Sequence, residues 1–162
     1  MTEYTTTDIR NVALVGHAGS GKTSLAEVLL HKAGAITSAG RVDKGSTTND
    51  FDVLEKKHQH SLEASIAAFH YDKHQINLID TPGAPDFIGA TLGVLSAVET
   101  VVVVVNAASG VEGTTRRMME WAKNANRCRM VVVNKVDVPG TDLAAVYDEI
   151  RDAFGRECLA VN

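Results

Sequence analysis

The chain has 162 residues, of which 44% are hydrophobic and 22% are charged, with a formal net charge of −4 at pH 7. This length suits one domain with a proper core, and the mild acidity gives no reason to expect nonspecific nucleic-acid binding. The apolar runs are far shorter than a membrane span, and the polar start lacks the apolar core of a signal peptide, so neither export nor a membrane is indicated.

Strand and helix patterns alternate along the chain. Strands are predicted near 10–16, 64–71, 75–80, 100–106, 129–134 and 157–161, and helices near 22–33, 85–98, 112–126 and 140–154. Five consecutive valines at 101–105 lack polar alternation, which is typical of a strand covered on both faces. Residues 64–71 and 75–80 predict a hairpin that adds an antiparallel edge strand. The fold class is therefore α/β, with a mostly parallel sheet and helices on both faces.

Residues 16–23, with the sequence GHAGSGKT, lie between a predicted strand and a predicted helix. This is the setting of a phosphate-binding loop, in which glycines let successive N–H groups point at one anion. Lys22 is expected to reach the β- and γ-phosphates, and the Thr23 hydroxyl to ligate Mg²⁺. The expected nucleotide contacts are His17, Ala18, Gly19, Ser20, Gly21, Lys22, Thr23 and Ser24. For His17 we expect a backbone role.

The helix that follows keeps apolar residues at helical spacing. Leu25, Val28, Leu29 and Ala33 predict its buried face, and Gly34 predicts its end. Residues 37–61 then lack a regular pattern, and a loop this long in a compact domain is usually functional or mobile. Its position is that of a nucleotide-sensing loop, with a plain surface insertion as the alternative.

The motif Asp80-Thr81-Pro82-Gly83 ends the strand at 75–80. A carboxylate at a strand end can hold Mg²⁺ through water, which makes Asp80 a metal-site candidate. Gly83 can donate its N–H to a γ-phosphate and move when that phosphate leaves.

The motif Asn134-Lys135-Val136-Asp137 follows the apolar strand at 129–134. The Asp137 carboxylate can accept hydrogen bonds from the N1–H and 2-amino groups of guanine, which adenine lacks. The Lys135 stem can cover one face of the base, and Asn134 can hold neighbouring loops together. The three motifs each follow a strand, where open α/β sheets bind ligands. GTP or GDP is the expected ligand, and Asp137 disfavours an adenine-specific kinase or ATPase.

Taken together, the motifs resemble the GTP-binding domain of translational GTPases, most closely elongation factor G and elongation-factor-G-like proteins. The segments that carry the resemblance are GHAGSGKT, GRVDKGSTTNDF, INLIDTPGAPDF, NAASGVEGTTRR and NKVD. Ribosomal protection proteins for tetracycline resistance are also similar. The resemblance implies a P-loop NTPase that uses Mg²⁺ to hydrolyse GTP and drives a ribosomal step such as translocation. It also implies a multidomain parent, with an extended or disordered stretch at 1–8 and a GTP-binding domain at 9–162 that stops before the last base-contacting loop.

The chain departs from the family pattern at several positions. Ser61 stands where the family has a Mg²⁺-binding Thr, so the hydroxyl ligand is retained, and Gly19 replaces a usual Asp. Ala84 stands where the family has its catalytic His, and a methyl group cannot orient the attacking water. A nucleotide-gated binding module with little or no hydrolysis is therefore one alternative function. A ribosomal protection protein, which the resemblance also allows, is the other.

The resemblance places His60 and Ala18 where the family has two apolar residues, an Ile of the sensing loop and a bulky phosphate-loop residue, that form a gate beside the attacking water. One hypothesis is that the His60 imidazole replaces the missing His, and the alternative is a solvated loop residue with poor hydrolysis. The predicted catalytic residues are Lys22, Gly83 and His60, and the predicted metal ligands are Thr23, Ser61 and Asp80. Turnover is expected to be slow in isolation, since no arginine finger is visible.

The expected partner is the ribosome, reached through the parent protein. A monomer is expected, with no membrane contact and no direct sequence-specific nucleic-acid binding. Two isolated cysteines, Cys128 and Cys158, lack a metal-binding spacing. They are expected to be reduced and in or near the core, which favours a cytoplasmic location.

Overall fold

The structure is a computed structural model that describes residues 4–48 and 61–161. Its strands are β1 (Ile9–Val15), β2 (Ser65–Tyr71), β3 (His74–Asp80), β4 (Thr100–Asn106) and β5 (Cys128–Asn134). They form one sheet in the order β2-β3-β1-β4-β5, in which only the β2–β3 pair is antiparallel among the described residues. The predicted mostly parallel sheet with an antiparallel edge strand is confirmed.

Helices cover both faces of this sheet. They are α1 (Lys22–Lys32), α2 (Ile88–Leu95), α3 (Gly113–Asn124) and α4 (Leu143–Phe154). Helices α2, α3 and α4 pack on one face of the sheet and α1 packs on the other. The five valines of β4 lie between the two layers and are at most 7% exposed, as their unbroken apolar run predicts. In the described part of the chain, no helix has both the length and the apolar character needed to cross a membrane.

Helix α1 ends as predicted, but its buried face is only partly the predicted one. The Gly34 N–H donates to the His31 carbonyl (3.0 Å), and Gly34 takes a left-handed φ of 74°, which is typical of a helix C-terminus. Val28, expected in the core, is 48% exposed, whereas Glu27 beside it is 1% exposed. The carboxylate of Glu27 is buried because loop N–H groups reach it, as described below.

The predicted strand at 157–161 is wrong. After α4 the chain turns, with the Cys158 N–H donating to the Gly155 carbonyl (3.1 Å) and the Tyr147 hydroxyl donating to the Cys158 carbonyl (3.3 Å). These bonds hold the segment beside α4, away from the ladder of β5. Cys128, at the start of β5, is exposed, so the expected near-core position is also wrong for that thiol.

Residues 4–8, which belong to the stretch expected to be extended or disordered, contain local structure. Thr6–Asp8 form a 3₁₀ turn, in which the Thr5 N–H donates to Asp8 Oδ2 (2.9 Å) and the Asp8 N–H donates to the Thr5 carbonyl (3.0 Å). The Tyr4 ring stacks on His70 of the edge strand at 5.3 Å between ring centroids. Short-range polar contacts and one ring pair thus order residues that carry no core pattern.

Candidate nucleotide-binding site

A cleft of about 200 Å³ opens beyond the carboxyl ends of β1 and β3. Four loops and the start of α1 contribute to it. The lining residues are Ala18, Gly19, Gly21, Lys22, Thr23, Ser24, Val42, Ser61, Thr81, Gly83, Ala84 and Lys135. Residues from the three motifs found in the sequence therefore meet at one cleft, although the motifs are far apart along the chain.

The loop between β1 and α1 needs glycine at two positions. Gly16 and Gly21 have φ angles of 144° and 93°, which side chains rarely adopt. A Cβ on Gly16 would collide with the Val104 carbonyl, and a Cβ on Gly21 would collide with the Asn134 side chain. The loop can therefore lie directly against β4 and against the end of β5.

Lys22 begins α1 and places its ammonium group beneath the loop. The side chain donates to the carbonyls of Gly16 and His17, both at 3.0 Å. Burial lowers the pKa of Lys22 to about 8, and the Asp80 carboxylate opposes this shift. The ammonium group would bind an anionic phosphate more strongly than it binds these neutral carbonyls, because hydrogen bonds between charged groups are about twice as strong as neutral ones.

Gly83, in the loop after β3, touches both Lys22 and the loop after β1. A Cβ at this position would collide with Lys22 Nζ, and it would lie 2.7 Å from the Ala18 nitrogen. Only glycine allows this close approach. The geometry places the backbone of Gly83 beside the two groups expected to contact the phosphates.

The three predicted metal ligands lie together. The Thr23 hydroxyl donates to Asp80 Oδ2 at 2.6 Å, and it lies 3.4 Å from the Ser61 hydroxyl oxygen. Asp80 is 1% exposed and ends β3, which pairs directly with β1. Hydroxyl and carboxylate oxygens are ligands that suit Mg²⁺, which usually keeps several waters and takes one or two protein carboxylates. The residues present therefore fit this ion.

The last residue of β5 and the first residue of the loop after it reach the phosphate loop. The Asn134 side-chain amide donates to the Ser20 carbonyl at 3.0 Å. Lys135 takes a left-handed φ of 59° and lines the cleft beside Gly21. Asp137, two residues later, is exposed and is not among the lining residues. The structure thus brings Asn134 and Lys135 to the cleft and leaves Asp137 on the exposed turn beyond it.

The His17 imidazole lies behind the phosphate loop, away from the cleft. It is 3% exposed; its Nδ1 lies 3.1 Å from the Thr115 hydroxyl, and its Nε2 lies 3.3 Å from both Ser109 Oγ and a Glu112 carboxylate oxygen. Burial lowers the pKa of His17 against the opposing charge of Glu112. The side chain therefore joins the loop to α3, while its carbonyl receives Lys22.

Of the remaining residues singled out in the sequence, some line the cleft and one is buried. Ser24 and Ala18 line the cleft, and Ser20 is fully buried beneath it. Ala84 lines the cleft next to Gly83, where the resemblance implies a catalytic His. His60 lies outside the described residues.

Two residues at the site were not anticipated from the sequence. Val42 lines the cleft from the loop that follows α1, and Glu27 accepts hydrogen bonds from that loop. A buried Glu inside a helix has no motif of its own, because its partners are backbone N–H groups. The signal in the sequence was the long loop after α1, which lacks a regular pattern and is rich in Gly, Ser, Thr and Asp.

Three features define a P-loop nucleotide-binding domain. They are a glycine-rich loop between β1 and α1, the Asp80 carboxylate bonded to Thr23 at the end of that loop, and the Asn-Lys-x-Asp motif at the end of β5. The family model described as the Elongation factor Tu GTP binding domain matches residues 7–161. The chain belongs to this family of GTP-binding domains. The predicted membership among translational GTPases of elongation factor G type is confirmed.

Curated relatives include tetracycline resistance proteins. The chain is 34% identical over 151 residues to TetM of Ureaplasma urealyticum and 31% identical to TetW of Butyrivibrio fibrisolvens. Each match covers 93% of this chain and 24% of the relative. The chain therefore spans about a quarter of the length of these relatives.

Solved structures give the same fold. A protein from Thermus thermophilus matches with a TM-score of 0.87 and 42% identity, covering 91% of this chain and 22% of that one. A bacterial selenocysteine-specific elongation factor matches with a TM-score of 0.71 over 88% of this chain and 23% of its own. At 22% identity, the second match supports the fold alone.

Proposed function

We propose that this protein is a Mg²⁺-dependent GTPase that acts on the ribosome, as part of a translation factor of elongation factor G type. The observation that carries the proposal is the convergence of Lys22, Thr23 and Lys135 on one cleft, with the buried Asp80 carboxylate hydrogen-bonded to Thr23. Membership in a family of GTP-binding domains and the likeness to TetM and TetW support it.

The phosphates would lie along the loop at 16–23. On binding, Lys22 would exchange the carbonyls of Gly16 and His17 for the β- and γ-phosphates, a gain because the new acceptors are charged. The Gly83 N–H would donate to the γ-phosphate. These groups act by positioning and by stabilising developing charge, which is how most phosphoryl transfer is catalysed.

Mg²⁺ would be held by Thr23, by Ser61 and, through water, by Asp80. It would neutralise charge that develops on the β- and γ-phosphate oxygens. The Thr23–Asp80 hydrogen bond keeps both oxygens in place beside Lys22. Removal of Mg²⁺ with a chelator is therefore expected to abolish turnover and weaken nucleotide binding.

The guanine base would lie against the loop after β5. Asn134 fixes this loop to the phosphate loop, the Lys135 stem would cover the base, and Asp137 would accept its N1–H and 2-amino hydrogens. Because Asp137 is exposed on the turn, the N1 and 2-amino edge of the bound guanine would have to lie against that turn.

A second candidate function is a nucleotide-gated binding module. The observation that favours it is Ala84, which lines the cleft without a group that could orient water. In this alternative, GTP fixes the loops for a partner and hydrolysis hardly matters. A resistance protein that acts at the ribosome is a variant of the main proposal, favoured by the TetM and TetW matches.

Multiple-turnover release of phosphate from GTP, with and without ribosomes, tests these proposals. The main proposal expects Mg²⁺-dependent turnover that is slow alone and faster with ribosomes. GTP-dependent ribosome binding without turnover would favour the binding module, and failure to bind GTP would contradict both. The same assay on His60→Ala tests the hypothesis that this imidazole replaces the missing one, because unchanged turnover would contradict it.

The proposal extends to location and partners. We infer a cytoplasmic monomer whose partner is the ribosome and which makes no sequence-specific nucleic-acid contact through this domain. Sedimentation of the GTP-bound protein with ribosomes tests whether it binds them. Sedimentation of the protein alone gives its size and tests whether it is a monomer.

A further inference from the structure

Glu27 is a charged residue buried in the second turn of α1. It is 1% exposed, and a buried carboxylate is costly unless hydrogen bonds or a cation compensate its charge. Its Oε2 accepts the Gly40 N–H at 2.7 Å, and its Oε1 accepts the Thr48 N–H. Both oxygens are therefore engaged by backbone groups of one loop.

Residues 40–48, which we call the clamped loop, form a compact unit between those two N–H groups. The Ser46 N–H donates to the Arg41 carbonyl (3.2 Å), and the Arg41 N–H donates to the Ser46 hydroxyl (3.0 Å). A Cβ on Gly40 would collide with the Ser46 carbonyl, so the two arms touch at the neck. Compact loops whose ends lie close together are frequently functional.

The clamped loop contributes one side chain to the cleft. Val42, at the start of a 3₁₀ turn (Val42–Lys44), lines it together with Thr23, Ser24 and Lys135. Glu27 and Thr23 are on the same helix, about one turn apart. The carboxylate therefore fixes the position of the Val42 wall relative to the helix that would hold the phosphates and the metal.

We propose that Glu27 is a positioning residue for nucleotide retention: its carboxylate clamps the neck of the clamped loop and thereby holds Val42 as a wall of the cleft. This inference rests on the proposed nucleotide site. Releasing the neck would let the wall move away and the nucleotide leave faster. Glu27 itself would touch neither the nucleotide nor the metal.

The experiment is a chase of fluorescently labelled GDP by excess unlabelled GDP, in the presence of Mg²⁺. Loss of hydrogen bonds to a charged group predicts that Glu27→Ala releases the label about tenfold faster than wild type. Glu27→Gln keeps one acceptor oxygen and turns an NH₂ group toward the other N–H, so an intermediate rate is expected. Val28→Ala is the matched control on the exposed side of the same helix, and its rate is expected to equal that of wild type.

A double-mutant cycle separates positioning from loss of stability. If Glu27 acts through Val42, the effects of Glu27→Ala and Val42→Ala on the release rate are non-additive. Hydrogen exchange at Gly40 and Thr48 is expected to accelerate in Glu27→Gln while exchange within α1 stays protected. These readouts do not depend on whether Glu27→Ala lowers the melting temperature.

The outcomes distinguish this inference from the proposed function. If wild type fails to bind labelled GDP, the proposed nucleotide site is wrong. If wild type binds and both Glu27 variants release the label at its rate, or if the two effects simply add, only the role of Glu27 is overturned.

Discussion

The phosphate end and the base end of the site are built in different ways. Lys22 and Asp80 are 6% and 1% exposed. Lys22 begins the helix that follows the central strand β1, and Asp80 ends β3, which pairs with β1. Val136 is 50% exposed and Asp137 is also exposed, on a turn after β5, which is at the edge of the described sheet. The core thus preorganises the groups expected to hold phosphate, and an exposed turn carries the group expected to read the base.

Because the two ends differ in burial, we expect them to contribute differently to affinity and to selectivity. Groups held in place before binding cost little to reorganise, so the phosphate end should supply most of the binding free energy. The base end is joined to the phosphate loop by the Asn134–Ser20 hydrogen bond. Changes at the base end should alter the choice between nucleotides more than the total affinity.

Removal of the Lys22 ammonium tests the phosphate end and has the largest expected effect. Lys22→Ala should weaken both GDP and ADP binding by at least about 100-fold, because the charge-assisted hydrogen bonds to the β-phosphate are lost. Calorimetric titration measures this, with Lys32→Ala at the end of the same helix as the control. Unchanged affinity for GDP would show that the phosphates bind elsewhere.

Removal of the Asp137 carboxylate tests the base end. Asp137→Ala should weaken GDP binding by about thirtyfold, since two hydrogen bonds to guanine are lost, while weak ADP binding stays the same. Competition against labelled GDP gives both affinities. Asp148→Ala, on α4, is the control for net charge. Equal losses for GDP and ADP would remove the distinction between the two ends.

The link between the ends is tested at Asn134. Asn134→Ala loses the hydrogen bond to the Ser20 carbonyl. GDP affinity should fall about tenfold, and part of the preference for guanine over adenine should be lost as well. The same competition assay applies, with Asn124→Ala at the exposed end of α3 as the control. A fall in total affinity with intact guanine preference would indicate that the base loop keeps its position without this bond.

The back of the phosphate loop is tested by pH, with the smallest expected effect. Because burial lowers the pKa of His17, the unfolded chain binds the proton more readily than the folded one. The neutral His17 therefore stabilises the folded state fully above the ordinary histidine pKa of about 6.5. This stabilisation is lost as the pH falls from there through the lower pKa of His17 in the folded protein. His17→Asn should therefore lose less stability between about pH 7 and pH 5 than wild type.

Denaturant unfolding at both pH values measures this change in stability. His31→Asn, an exposed histidine at the end of α1, is the control and should follow wild type. A steeper loss of stability in His17→Asn than in wild type would contradict the assigned direction of the pKa shift.

Much of the architecture follows from local patterns. The valines of β4 and the helix end at Gly34 could be predicted because each depends on a property of its own segment. The three motifs could be placed near one another because the carboxyl ends of parallel strands meet at one edge of a sheet.

Other features depend on contacts between distant segments, which no local pattern contains. Glu27 is buried by N–H groups at Gly40 and Thr48, and the exposed Val28 shows that helical spacing alone did not identify the buried face. The segment at 157–161 has the apolar content of a strand, but its hydrogen bonds to α4 and to its own turn prevent pairing with β5. The direction of the His17 imidazole likewise depends on α3.

The proposed function depends on a guanine base bound at the Asn-Lys-x-Asp turn while its phosphates lie in the loop at 16–23. Competition of GDP, IDP and ADP for wild-type protein tests it most directly, because inosine lacks only the 2-amino group. GDP is expected to bind most tightly, IDP about tenfold more weakly because one charge-assisted hydrogen bond is lost, and ADP most weakly. Equal affinities for GDP and IDP, or ADP binding as tightly as GDP, would contradict this binding mode.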